Sequence, residues 1–347
     1  MTNTQPDRAD RIRGCFLAGA VGDALGAPVE FATGAMPGRL DTYGGGVGHV
    51  TDDTQMLLFT AEGLCSRCDP DALVERGRTR DALHRAYMVW LHTQGHDWVT
   101  IDRELGYGTQ PPGRLVNDAA LHARRAPGST CISALRSNKY GTPDGPINDS
   151  KGCGGVMRAA PAGLVGLNTT DAFVLGCDLA AITHGHPSGY ISAGALAAII
   201  NELCDGKQLS AAIATAATLA ATATGGSEVA AAIAAAVQLA HTAPVPTRAD
   251  VESLGGGWTG EEALAIALYC SLTCQANNIV PALVAAITHS GDSDSCGAIC
   301  GNILGTIHGT GALPDRLIRG LDIYATICST AAELAAIGKR STHANTT

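Results

Sequence analysis

The chain has 347 residues, 46% of them hydrophobic but only 4% aromatic, so its core must be built from aliphatic side chains and alanine. A formal net charge of −9 excludes a general nucleic-acid-binding or anionic-membrane surface. The longest Ala-rich runs are broken by Ser, Thr, Gly, Glu and Gln, so no transmembrane helix is expected.

Residues 1–13 are polar and charged, with no apolar signal core behind them. They read as an extension, and the expected location is cytoplasmic. Within residues 19–31, Gly22, Asp23, Ala24, Leu25 and Gly26 are small enough for tight helix packing. Glu30 follows that helix between apolar neighbours, so its carboxylate is either paired with a base or used at a site. Next come Thr51, Asp52, Asp53 and Thr54, directly ahead of the apolar helical run Met56, Leu57, Leu58 and Phe59. Cys65 and Cys68 form a C-x-x-C. With no second such motif at zinc-finger spacing, the cysteines read as reduced, buried hydrophobes.

Residues 148–158 are Gly-rich, with Ser150, Gly152, Gly154 and Gly155 in a turn ahead of an apolar run. Such a turn lets backbone N–H groups approach a phosphate at a helix N-terminus, although no G-K-[ST] of a Walker loop follows. Thr183, His184, Gly185, His186 and Pro187 have no third soft ligand nearby, so His184 is either a core residue or a contact to a polar ligand.

Helical periodicity then prevails. Residues 207–224 and 227–242 are Ala-rich helices, separated by Gly225-Gly226 as a stop and Ser227 as N-cap. Glu261-Glu262 opens another helix, and Pro281 one that ends near His289. Then come Ser290, Gly291, Asp292, Ser293, Asp294 and Ser295, ahead of the helical run 296–304. No solenoid repeat occurs and no stretch reads as a linker. The expected fold is a single globular all-α domain over residues 14–338, with residues 339–347 a frayed tail.

Either acidic cluster alone is equally well explained as a helix cap. Together they offer four carboxylates plus hydroxyls, more than capping needs. Side-by-side carboxylates repel, and oxygen-only donors suit hard divalent cations such as Mg²⁺ or Mn²⁺. Two such ions in one site are an arrangement of hydrolytic enzymes.

In this order the segments AGAVGDALGAPVEF from Ala18, TDDT from Thr51, GGVMRAAP from Gly154, THGHP from Thr183 and SGDSDS from Ser290 resemble the ADP-ribosylglycohydrolase family. The family includes the dinitrogenase-reductase-activating glycohydrolases and the ADP-ribosyl-acceptor hydrolases. The resemblance implies an orthogonal multi-helix fold with a binuclear Mg²⁺ or Mn²⁺ centre. It implies Thr51, Asp52 and Asp53 as one ligand set and Asp292, Asp294 and Ser295 as the other. Glu30, Asp53 and Asp292 become the catalytic candidates. Ser150, Gly152, Gly154 and Gly155 fall on a diphosphate loop, and His184 on an ADP-ribose contact. Ser290, Ser293, Ser295, Cys153 and Lys151 depart from the common pattern, Cys153 standing where many members have Asn and Lys151 where some have an aromatic.

The implied activity is hydrolysis of the bond between ADP-ribose and an acceptor. Arginine on a protein is favoured, and serine, nucleic-acid or small-metabolite conjugates are the alternatives. A catalytically silent, crystallin-like ADP-ribose binder is a rival, but it has no need of both acidic clusters. A prenyl-diphosphate enzyme is another, and it needs D-D-x-x-D, where this chain has Met56 and Leu57 after Asp53.

Overall fold

The computed structural model describes residues 5–31, 39–67, 69–275 and 278–337. Among them are sixteen α-helices and no β-strand, only isolated bridges, so the all-α expectation holds. Six helices position the site: α1 (Arg8–Gly26), α2 (Asp52–Cys65), α3 (Pro187–Cys204), α4 (Ser227–Thr242), α5 (Gly260–Leu272) and α6 (Ser293–His308).

The first helix starts earlier than expected. Asp7 accepts a hydrogen bond from the Asp10 amide and caps α1, so residues 8–13 are helical rather than an extension. The span Arg8–Val29 is also long and apolar enough to cross a membrane, which the sequence reading missed. In its most apolar window 83% is buried inside the protein, and the helix forms the centre of the core.

Its main partner is α6, and glycine sets how closely the two approach. Residues four apart share a helix face. Gly14, Ala18 and Gly22 of α1 thereby meet Gly305, Gly301 and Gly297 of α6 in antiparallel order. A Cβ on Gly22 would lie 2.0 Å from the Gly297 carbonyl oxygen, and one on Gly301 would lie 2.1 Å from that of Ala18. Backbone therefore touches backbone. The same stripe places Gly26, at the end of α1, against Ser293 and Asp294 at the start of α6. This is how Glu30, just beyond α1, reaches Asp292 from the far end of the sequence. Gly22→Ala is expected to destabilise the protein by about 1–3 kcal/mol or more, because neither backbone can yield. Thermal denaturation would check this, and an unchanged melting temperature would contradict the packing described.

Two other expectations need correction. Ser227 is the first residue of α4, not its cap; the cap position is Gly226, with no side-chain hydrogen bond. The turn at Gly225 and Gly226 is too tight for a capping side chain, since a Cβ on Gly226 would lie 2.0 Å from the Ala220 oxygen. The Gly-rich segment runs into short 3₁₀ turns, Cys153–Gly155 and Ala160–Gly163, rather than into an α-helix. Cys68 lies outside the described residues, whereas Cys270, Cys296 and Cys300 are buried and unbridged, as expected.

Candidate metal centre

Both acidic clusters sit at helix starts. Thr51 caps α2: its Oγ1 accepts from the Asp53 amide at 3.3 Å, and Asp52 and Asp53 occupy the first turn. Asp292 caps α6, with Oδ1 accepting from the Ser295 amide at 3.2 Å. Capping is thus real, but it leaves most of the carboxylate oxygens free for other partners. Asp52 Oδ2 accepts from the Gly128 amide at 3.0 Å, whereas buried Asp53 Oδ1 has no hydrogen-bond partner.

The clusters converge on one cleft of about 340 Å³. Of the sequence-predicted residues, Glu30, Asp52, Asp53, Gly152, Gly154, His184, Asp292, Asp294 and Ser295 line it. Carboxylate oxygens of Glu30, Asp292 and Asp294 lie within 4.8 Å of one another. Thr51, Ser150 and Gly155 stand behind the wall. The Ser150 hydroxyl lies 3.2 Å from that of Thr130, and Gly155 packs on Ala180 and Gly189. Gly152 and Gly154 face the His184 ring; a Cβ on Gly154 would lie 2.9 Å from its Cε1. A larger hollow of about 570 Å³ at the other end of α2, lined by Arg67, Arg85, Glu62 and Tyr107, contains none of these residues.

Crowded carboxylates hold their protons tightly. Burial, then Asp294 and the other aspartates, push Asp53 well above the usual carboxylate range. Burial and Asp292 do the same to Asp294. Burial raises Asp52 to about 8, against the Gly128 hydrogen bond, with Asp23 and Asp292 adding to the rise. Half-buried Glu30 rises to about 7, through burial and then the charges of Asp292 and Asp23. His184 is lowered to about 3 by burial and the Arg158 guanidinium, so it is neutral at physiological pH. A hydrogen bond of 2.8 Å joins its Nδ1 to the Thr183 hydroxyl.

Residues of several kinds escaped the sequence reading. Asp23, fully buried in α1, accepts from the amides of Thr51 (3.0 Å) and Thr54 (3.1 Å), and so fixes the start of α2. Its only signal was a carboxylate inside a run of small residues. The Cys153 thiol donates to Asp292 Oδ2 at 2.8 Å. Lys151 is engaged elsewhere: its Nζ binds Glu228 at 2.6 Å and Glu261 at 2.8 Å, tying the Gly-rich loop to α4 and α5. Phe31, Trp258 and residues 126–130 complete the cleft wall.

A set of buried, mutually repelling carboxylates, one with an unpartnered oxygen, fits hard divalent cations. A stability prediction follows for protein held in a chelator. The folded-state pKa of Asp52 is raised, so its contribution is full below the unfolded value of 3.8 and is lost as pH rises through about 8. Buried His84 and His184, lowered to about 4 and 3, act in the opposite sense, but only below their unfolded value of 6.5. Between pH 6.5 and 8 the metal-free melting temperature is therefore expected to fall, and Mn²⁺ to restore it increasingly. A Mn²⁺ gain independent of pH in a thermal-shift series would contradict this.

Comparison with known proteins places the chain in a family. The sequence profile of the ADP-ribosylglycohydrolase family matches residues 4–343. The chain is 24% identical over 335 residues to ADP-ribosyl-[dinitrogen reductase] glycohydrolase of Rhodospirillum rubrum, covering 92% of this chain and 93% of that protein. It is 27% identical over 329 residues to an uncharacterized protein of Archaeoglobus fulgidus, covering 90% and 92%. A solved structure described as an ADP-ribosylglycohydrolase-related protein complex superposes with a TM-score of 0.62 at 21% identity, over 96% of this chain and 99% of the other. Fold and sequence agree: this chain belongs to the ADP-ribosylglycohydrolase family.

Proposed function

We propose that the protein hydrolyses the C1″ glycosidic bond of ADP-ribosylated arginine, releasing ADP-ribose, with two divalent cations, Mg²⁺ or Mn²⁺, in the cleft. The observation that carries this reading is the meeting of Glu30, Asp52, Asp53, Asp292 and Asp294 beside the Gly-rich loop and His184. The name of the Rhodospirillum relative supports it, since that protein acts on an ADP-ribosylated protein.

Asp52, Asp53, Asp292 and Asp294 would hold the cations, with Thr51 and Ser295 as hydroxyl donors. Bound there, the cations would supply Lewis acidity that lowers the pKa of water. The chain's own groups do the rest. Lacking a Cβ, Gly152 and Gly154 let the diphosphate come close to the loop backbone, while the Cys153 amide stays on the Trp258 carbonyl oxygen. Neutral His184, oriented by Thr183, offers Nε2 to the substrate. Glu30 takes the proton of the attacking water at its carboxylate. The aspartate charge stabilises the oxocarbenium character that glycoside cleavage develops. An arginine guanidinium leaves as neutral guanidine, so the leaving group needs little acid assistance, whereas a serine alkoxide needs a proton.

The test is a panel of defined conjugates linked through arginine, serine, a nucleic-acid end and a small metabolite, assayed with Mg²⁺ or Mn²⁺ for ADP-ribose release. Turnover of the arginine conjugate above the others is expected. Turnover confined to another linkage would reject the arginine acceptor.

A further inference from the structure

Two aromatic side chains at the cleft are left exposed, in a chain with only four Phe and three Trp. Phe31 is 64% exposed and Trp258 42% exposed, and both line the cleft. Their rings stack with centroids 5.2 Å apart at 28°. Neither is explained by the core. Phe31 also holds φ at +65°, a conformation unfavourable for a bulky side chain and one that persists where surroundings impose it, commonly at ligand sites.

The pair stands at the reacting end of the cleft. Phe31 directly follows Glu30, whose carboxylate groups with Asp292 and Asp294. Trp258 follows Gly257, where a Cβ would lie 3.2 Å from the backbone carbonyl oxygen of Asp292 and 2.6 Å from Cys296 Sγ. The Trp258 backbone is fixed as well, its carbonyl accepting from the Cys153 amide at 3.1 Å. Charge narrows the occupant. Five carboxylates line the cleft and, among the described residues, no Lys or Arg does. Two divalent cations would offset at most four of these charges, so the lining with all five carboxylates ionised keeps negative charge. Aromatic faces beside residual negative charge suit a planar organic cation.

We propose that Phe31 and Trp258 form the acceptor subsite, receiving the guanidinium of the arginine side chain against their ring faces. This rests on the hydrolase reading above and adds the specificity device to it. The rings stack on the acceptor, outside the metal floor, and determine which linkage is held in place for cleavage.

The test compares the full chain with Phe31→Ala, Trp258→Ala and Trp258→Phe, using an ADP-ribosyl-arginine conjugate and an ADP-ribosyl-serine peptide. ADP-ribose affinity is measured by calorimetry, and folding by melting temperature. For a conjugate that binds without being cleaved, its inhibition constant replaces KM. Each alanine variant is expected to raise KM for the arginine conjugate about 3- to 30-fold, with ADP-ribose and the serine peptide changed less than about twofold. Trp258→Phe is expected to recover most of the loss. Equal losses for both conjugates, or an equal loss of ADP-ribose affinity, would overturn the assignment, the latter because the rings would then stack on adenine. If the wild type releases ADP-ribose from neither conjugate, the hydrolase reading fails separately. Competition by arginine methyl ester against citrulline methyl ester then decides the subsite. A cationic preference lost in Trp258→Ala supports it, and no preference overturns it.

Discussion

Asp53→Asn is expected to lower kcat/KM by about 10³-fold or more while making the metal-free protein more stable, by about 1–2 kcal/mol. The opposed signs come from one fact. Asp53 is buried with a partnerless oxygen among other aspartates, so in the absence of cations its charge is repelled from every side. The neutral isostere removes that repulsion. It also removes a donor to the cations and their contribution to the transition state. Asp292→Ala is expected to be equally inactive but without the stability gain, because it deletes the α6 cap, worth about 1 kcal/mol. Melting temperatures with and without Mn²⁺, beside turnover, would check both. Metal-free destabilisation by Asp53→Asn with activity retained would mean that Asp53 is a structural residue.

Glu30→Gln is expected to reduce kcat by about 10²- to 10⁴-fold with Mn²⁺ affinity preserved. Glu30 is half-buried, its proton held up to about 7 by burial and by Asp292 and Asp23, which suits a group exchanging protons near neutral pH. Glutamine keeps the shape and loses the exchange. Calorimetry with Mn²⁺ separates the two possible roles. Unchanged affinity with lost turnover identifies proton transfer, and lost affinity would make Glu30 a metal donor instead. If Glu30 also assists departure, the variant should be more damaging on a serine conjugate than on an arginine one.

What the sequence revealed depended on how local the signal was. The acidic clusters were legible because each lies directly ahead of a helical apolar run, so capping chemistry and metal chemistry share the same few residues. The small residues of α1 announced tight packing, and α6 supplies the matching glycines. Residues acting across the fold were not legible. Asp23 reaches amides 28 and 31 positions away, and Trp258 finds Phe31 across most of the chain. Lys151 stood out only as a departure from the family pattern, and nothing local announced that α4 and α5 bring Glu228 and Glu261 to it. Ser227 misled because it satisfies the composition of a cap, whereas the tight turn at Gly226 leaves that role to backbone alone.

The clusters around Asp53 and Asp292 meet as two halves of one carboxylate floor, the proposed metal site, joined by the glycine contact of α1 with α6 and by the hold of Asp23 on α2. The most direct measurement is ADP-ribose release from a purified ADP-ribosyl-arginine conjugate, in Mn²⁺ and in excess EDTA, by wild type and by Asp53→Asn. The account predicts release by the wild type in Mn²⁺ alone, restored on adding Mn²⁺ back after chelation, and none from the variant. Full release in EDTA, or by Asp53→Asn, would contradict it.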